Sequence, residues 1–135
     1  MIKSNELRIG NSVMFSEDGE NCIVTEITQG GLEVLFKSGE QVWIELEKFS
    51  PIELTPEILR NSGFASSFTS DPQEPNASKV FELNEFKVHQ QNENINEFEV
   101  YNFITHERIM VTGVHHLQNL YYFAFDTHQE LNINL

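Results

Sequence analysis

Between residues 7 and 49 the chain runs in short apolar stretches parted by turn signals: "SVMF", "EDGEN", "CIVTEI", "TQGG", "LEVLF", "KSGE" and "QVWI". Val13, Phe15, Ile23, Ile27, Val34, Phe36, Val42 and Ile44 recur at roughly every second position, the period of half-buried strands. Gly19, Gly30 or Gly31, and Gly39 fall where tight hairpins need a positive φ. The pattern predicts a small antiparallel barrel or strongly bent sheet of SH3-like size over residues 1–50.

"ELEKFSPIEL" then reads as a short helical turn and an extended crossing segment. In "TPEILRNSGF", Thr55 can cap, Pro56 suits the first helical position, Glu57 favours the positive end of the dipole, and Gly63 supplies a left-handed stop with Phe64 behind it. These signals predict a helix over 56–62. The stretch 66–78, "SSFTSDPQEPNAS", has two prolines and little to bury, and is expected to be a mobile loop. Strand patterns return in "KVFEL", "FKVHQ", "FEVYNFI" and "RIMV". Phe98, Val100 and Asn102 alternate with Glu99, Tyr101 and Phe103, which suggests a sheet covered on both sides.

The chain closes on "TGVHHLQNLYYFAFDTHQELNINL". At about 100° per residue, Val114, Leu117, Leu120, Tyr121, Ala124 and Phe125 share one helical face, with His115, Gln118 and Asn119 on or beside the other. A helix aromatic nearly all round in its second half is expected to lie between layers, its imidazole and amide groups bonded to backbone at strand edges or to the segment preceding the helix. Leu131, Ile133 and Leu135 alternate as in a final strand. The fold class is therefore α+β: a barrel lobe over 1–50, and over 51–135 an α+β lobe with an antiparallel sheet, a C-terminal helix and a short strand, sharing its core with the first.

Composition narrows the function classes. The net charge of -13 arises from 21 acidic against eight basic residues. Lys and Arg are scattered singly, so no stripe exists to neutralise phosphates and direct nucleic-acid binding is disfavoured, as is an anionic membrane surface. No run of 18 apolar residues and no signal-peptide pattern occurs, which gives a cytoplasmic expectation. Cys22 is the only cysteine and sits in an apolar run, where it reads as a core residue.

Candidate chemistry is sparse. The histidines at 89, 106, 115, 116 and 128 contain no His-x-x-x-His pair, and Cys22 has no Cys-x-x-Cys partner. "DTHQE" places Asp126, His128 and Glu130 together if a strand begins early, a grouping that can bind a cation or move protons; a solvated turn with a helix-end histidine explains it more simply. No Gly-x-Ser-x-Gly elbow or phosphate loop is present. No catalytic residue, metal site or cofactor is assigned. The candidate binding residues are Trp43, His115, Gln118 and Asn119. Trp43 is out of phase with Val42 and Ile44, so it points away from the barrel core, toward either a ligand groove or the second half of the chain; packing is favoured because large aromatics commonly bridge layers.

"VHHLQNLYYFAF" followed by "QELNI" resembles the ending of a family of short proteins from Bacteroidetes-type bacteria, often encoded near phage or mobile-element genes. Their tails run roughly Val-His-x-Leu-Gln-Asn-Leu-Tyr-Phe-Ala-Leu, then Thr-Gly, then Glu-Leu. Val114, His115, Leu117, Gln118, Asn119, Leu120 and Tyr121 carry the match, and "NELRIGNSV" and "IELTPEILRNSGF" are similar to the same pattern. Here "FDTHQEL" replaces the glycine that stops the family's helix. No activity is assigned to that family, so the resemblance implies a fold and a mobile-element origin and says nothing about chemistry. The expectation is a non-catalytic protein-interaction or accessory module. The alternative is a small metal-dependent hydrolase using histidine and carboxylate residues, and nucleic-acid mimicry by the acidic surface is a lesser option.

Overall fold

A computed structural model describes residues 2–68, 79–90, 96–102, 107–124 and 128–135. It is α+β, with two five-stranded antiparallel sheets and a helix near the C-terminus. Two compact units divide it: residues 1–53 with 112–131, and residues 54–111 with 132–135. The closing helix thus groups with the first 53 residues rather than with those immediately before it.

The first sheet contains β1 (Ser12–Phe15), β2 (Glu20–Thr28), β3 (Gly31–Phe36), β4 (Gln41–Glu45) and β5 (Phe49–Ser50), with a 3₁₀ turn at Leu46–Lys48. Its order is β4-β3-β2-β1-β5, so the last strand returns to the free side of the first. The hairpins follow the glycines: Gly19, Gly30 and Gly39 all take positive φ, while Gly31 stays in the strand. Val13, Cys22, Val24, Leu32, Val34, Phe36 and Phe49 form the buried face, with Ile2 and Leu7 packed into it. Phe15 contacts both Phe36 and Phe49 at ring distances of 6.2 and 6.3 Å.

One expected core position is displaced. Ile23 is 46% exposed, and Cys22 and Val24 point inward instead. A register shift between Val24 and Glu26 is the cause: the extra residue reverses the inside-outside phase, so Ile27 joins the core although it shares parity with Ile23.

The second unit opens with α1 (Pro56–Asn61), capped by Thr55, whose Oγ1 accepts from the Ile58 amide. It stops at Gly63, at φ +99, with the Phe64 amide returning to the Leu59 carbonyl. Five strands follow: β6 (Ala65–Phe68), β7 (Lys79–Leu83), β8 (Phe86–Gln90), β9 (Phe98–Asn102) and β10 (Glu107–Met110), ordered β10-β9-β8-β7-β6. The loop expected over 66–78 begins later, because Ser66–Phe68 pair with Lys79–Phe81; the remainder lies outside the described residues.

One face of this sheet is buried along most of its length and the other is covered only in part. Phe81, Phe86, Val88, Gln90, Phe98 and Val100 are buried on the first; on the second Val80 is buried and His89 and Glu99 are half-buried, while Glu82, Lys87, Arg108 and Met110 are exposed. Tyr101, read as part of a second apolar face, is only half-buried and sits opposite Arg108. Phe103 lies outside the described residues.

The helix α2 (Val114–Ala124) begins by donating the Val114 amide to the Ile52 carbonyl. Its buried stripe is Val114, His115, Leu117, Gln118 and Tyr121; Phe123 is 65% exposed and Ala124 is exposed as well. The helix is therefore covered along its inner side and open in its second half, unlike the layer-enclosed helix expected. No strand forms over 128–135. Burial does alternate there, with Leu131 buried and Ile133 and Leu135 half-buried, but the Asn134 amide donates to the Ser62 hydroxyl and not to a ladder. Alternation specifies which side is covered and supplies no pairing strand.

Candidate functional site

The four candidate residues occupy two separate places in the first unit. His115, Gln118 and Asn119 lie on α2, at the start of β1. Trp43 lies on β4, three strand spacings from β1, which is roughly 14 Å across the sheet.

At the α2 end the local chain explains the arrangement. The Asn11 side chain accepts from the Arg8 amide at 2.7 Å and the Asn11 amide donates to the Arg8 carbonyl, closing a turn with Gly10 at φ +97. That turn delivers fully buried Asn11 to Asn119: Asn11 Nδ2 donates to Asn119 Oδ1 at 2.8 Å, Arg8 Nε donates to the same oxygen at 3.2 Å, and Asn119 Nδ2 donates to the Glu6 carbonyl at 2.9 Å. Gln118 Oε1 accepts from the Ser12 amide at 2.8 Å. Because β5 pairs only with Met14 and Phe15, the Ser12 amide lies beyond the end of that ladder, and the glutamine takes the place of a missing strand.

Arg8 extends the cluster. Both of its terminal nitrogens bond the Glu130 carboxylate, and its guanidinium carbon sits 3.9 Å from the Tyr122 ring centre. His128, at φ +47, stacks on Tyr122 at 5.1 Å. The grouping of Asp126, His128 and Glu130 read from the sequence is thus divided: Glu130 serves Arg8, His128 serves Tyr122, and Asp126 lies outside the described residues. Arg8, Asn11 and Tyr122 were missed, since their roles depend on partners more than a hundred residues away and leave no local signature.

The histidines part company. His116 Nδ1 accepts from the Thr112 amide at 3.1 Å, tying the helix start to its own first turn. His115 does not bond to backbone as expected: its Nδ1 is buried without a hydrogen-bond partner. The ring is hemmed in where Gly113, Pro51 and the Ile52 carbonyl meet; a methyl on Gly113 would come within 3.0 to 3.2 Å of Pro51 Cβ, Ile52 O and His115 Nδ1. Burial pushes both imidazoles below the ordinary histidine pKa, with Glu6 opposing. Among the described residues no three His, Cys, Asp or Glu side chains converge as metal ligands would, and no helix is long and apolar enough to cross a membrane.

On the outer face of the first sheet, Trp43 is 48% exposed. Its indole lies over Gly31, where a Cβ would fall 2.4 Å from Cε2 and Cζ2, and its Nε1 donates to Thr28 Oγ1 at 2.7 Å. Ile23 and Leu35, directly paired on β2 and β3, are exposed on the same side. Glu33, paired with Trp43, is held by Gln41 Nε2 at 2.6 Å, and Gln41 also reaches Thr25. The indole is a fixed platform: one surface rests on glycine, its single donor is satisfied, and the other surface meets solvent.

No family model, curated protein or solved structure matches this chain.

Proposed function

We propose that this protein is a non-catalytic protein-interaction or accessory module of phage or mobile-element origin, acting in the cytoplasm through the Trp43 face of its first sheet. The observation that carries the reading is the exposed set Trp43, Ile23 and Leu35 on one sheet face, with the indole immobilised before any partner arrives. Fixed aromatic area binds well because little conformational entropy is lost on contact. An SH3-like small barrel is proposed for this unit; support comes from the return of β5 to β1 and the 3₁₀ turn between β4 and β5. The α2 cluster is assigned to stability, since its amide groups are engaged with the 6–12 segment.

The test is affinity capture from host lysate with the wild-type chain and a folded Trp43→Ala variant. A partner retained by the first and lost by the second is expected. Capture indifferent to the substitution, or turnover in a broad activity screen, would sink the proposal.

A further inference from the structure

Given that reading of the Trp43 face, we infer that its partner presents an extended basic segment, placing an arginine or lysine on the indole and an apolar side chain on Ile23 and Leu35. The pairing register lays out the face in rows. Ile23, Leu35 and Gln41 make one row, Glu26, Glu33 and Trp43 the next, and Thr28, Gly31 and Glu45 the third. The indole is therefore flanked by Glu33 beside it and by Glu45 two residues along its own strand, with exposed Glu26 beyond. None of these three rows contains a lysine or arginine.

An aromatic surface attracts a cation through its quadrupole, and nearby carboxylates of fixed position reinforce the attraction. The arrangement on Trp43 is built for this. Nε1 is bonded to Thr28 and the inner surface covers Gly31, so the exposed π-surface is what remains to be recognised. Glu33 is oriented by Gln41 before binding. The net charge of -13 adds long-range attraction for a basic chain. Adjacent rows are separated by two residues along a strand, roughly 7 Å, the spacing of same-side residues in an extended peptide. An occupant with a basic residue at one position and an apolar residue two positions away satisfies both rows.

Trp43 is the only tryptophan, so its fluorescence reports this face alone. The probes are a short synthetic peptide alternating arginine and valine, the same peptide with citrulline for arginine, and one with glutamate for arginine, titrated at physiological ionic strength. Arginine peptide is expected to change Trp43 emission and saturate, with citrulline weakening binding about tenfold and glutamate abolishing it. By calorimetry, Trp43→Ala should weaken the arginine peptide by about the same factor, and Glu33→Gln should do so by less. Should Trp43→Ala unfold the chain, Trp43→Leu offers a second variant that keeps apolar bulk over Gly31, removes the π-surface and keeps every charge. Equal binding of arginine and citrulline peptides at Trp43 would overturn the cation assignment and leave the interaction face standing. Arginine-peptide binding that neither Trp43→Ala nor Trp43→Leu weakens would overturn it as well, tracing the attraction to net charge alone.

Discussion

The two sheets have five antiparallel strands each, and they are completed by different means. In the second, β6 to β10 follow one another across the sheet in chain order, so each ladder joins neighbours in sequence. In the first, β5 returns to β1 after three intervening strands, pairs with only two residues, and leaves the Ser12 amide to a glutamine from a helix that begins a hundred residues later. Around that helix gather Asn11, Asn119, Arg8 and Glu130. A meander closes with local turns and apolar burial; a sheet that must end on a distant segment uses polar side chains as substitutes for strand.

The largest effect should come from the apolar anchor of that distant segment. Leu117 is fully buried on α2, and Leu117→Ala is expected to cost about 2–5 kcal/mol in urea unfolding followed by Trp43 fluorescence. A loss below 1 kcal/mol would mean that the helix is not needed to complete the first sheet. Asn119→Ala comes next, at about 1–3 kcal/mol, because it strands Asn11 Nδ2 and the Glu6 carbonyl. If the melting temperature is unchanged while partner binding is lost, the residue belongs to a binding site and the contrast drawn above fails.

A gentler perturbation is acid. His115 and His116 have folded pKa values depressed mainly by burial, as has His89 in the second sheet, where Lys87 and Arg108 add to the effect. The unfolded chain therefore takes up protons near the ordinary histidine value while the folded chain does not. Stability is full above about pH 6.5 and falls as pH drops below it. His115→Gln should make that decline shallower in melts between pH 7 and 5, and an identical slope would remove His115 as a contributor.

The smallest effect lies in the meander. The β7–β8 hairpin turns through Asn84 and Glu85, both at positive φ, and a glutamate carries that conformation poorly. Glu85→Gly should raise stability by about 0.5–1 kcal/mol in thermal melting: about 1–2 kcal/mol of left-handed strain is relieved, less about 0.4–1 kcal/mol for the freer unfolded chain. A loss instead would show that the turn side chain has a tertiary role, bringing the second sheet closer to the first in character.

Legibility follows the same division. The strands β1, β7 and β8 match their sequence runs because apolar alternation, and for β1 the turn at Gly19, act within a few residues. The cap at Thr55 and the stop at Gly63 are equally local. By contrast, the bulge beyond Val24 cannot be seen in a parity count, and it moved Ile23 from core to surface. Gln118 and Asn119 are expected to bond a strand edge or the segment before the helix; Gln118 does meet the strand edge at Ser12, whereas Asn119 reaches the Glu6 carbonyl, far from the segment before the helix. Arg8, scarcely distinguished from seven other basic residues, gains its place only once Glu130, Tyr122 and Asn119 surround it.

Cys22 faces the core of the first sheet, 3% exposed, its Sγ 3.6 Å from the Val13 carbonyl and its pKa pushed up to about 12 by burial and by Glu20 and Asp18. As the chain's single thiol it is a clock set into one unit only. An alkylating reagent reaches it during the moments when β1 and β2 separate, so the rate of mass gain measures how often that sheet breathes, while motions confined to the meander leave no mark on it.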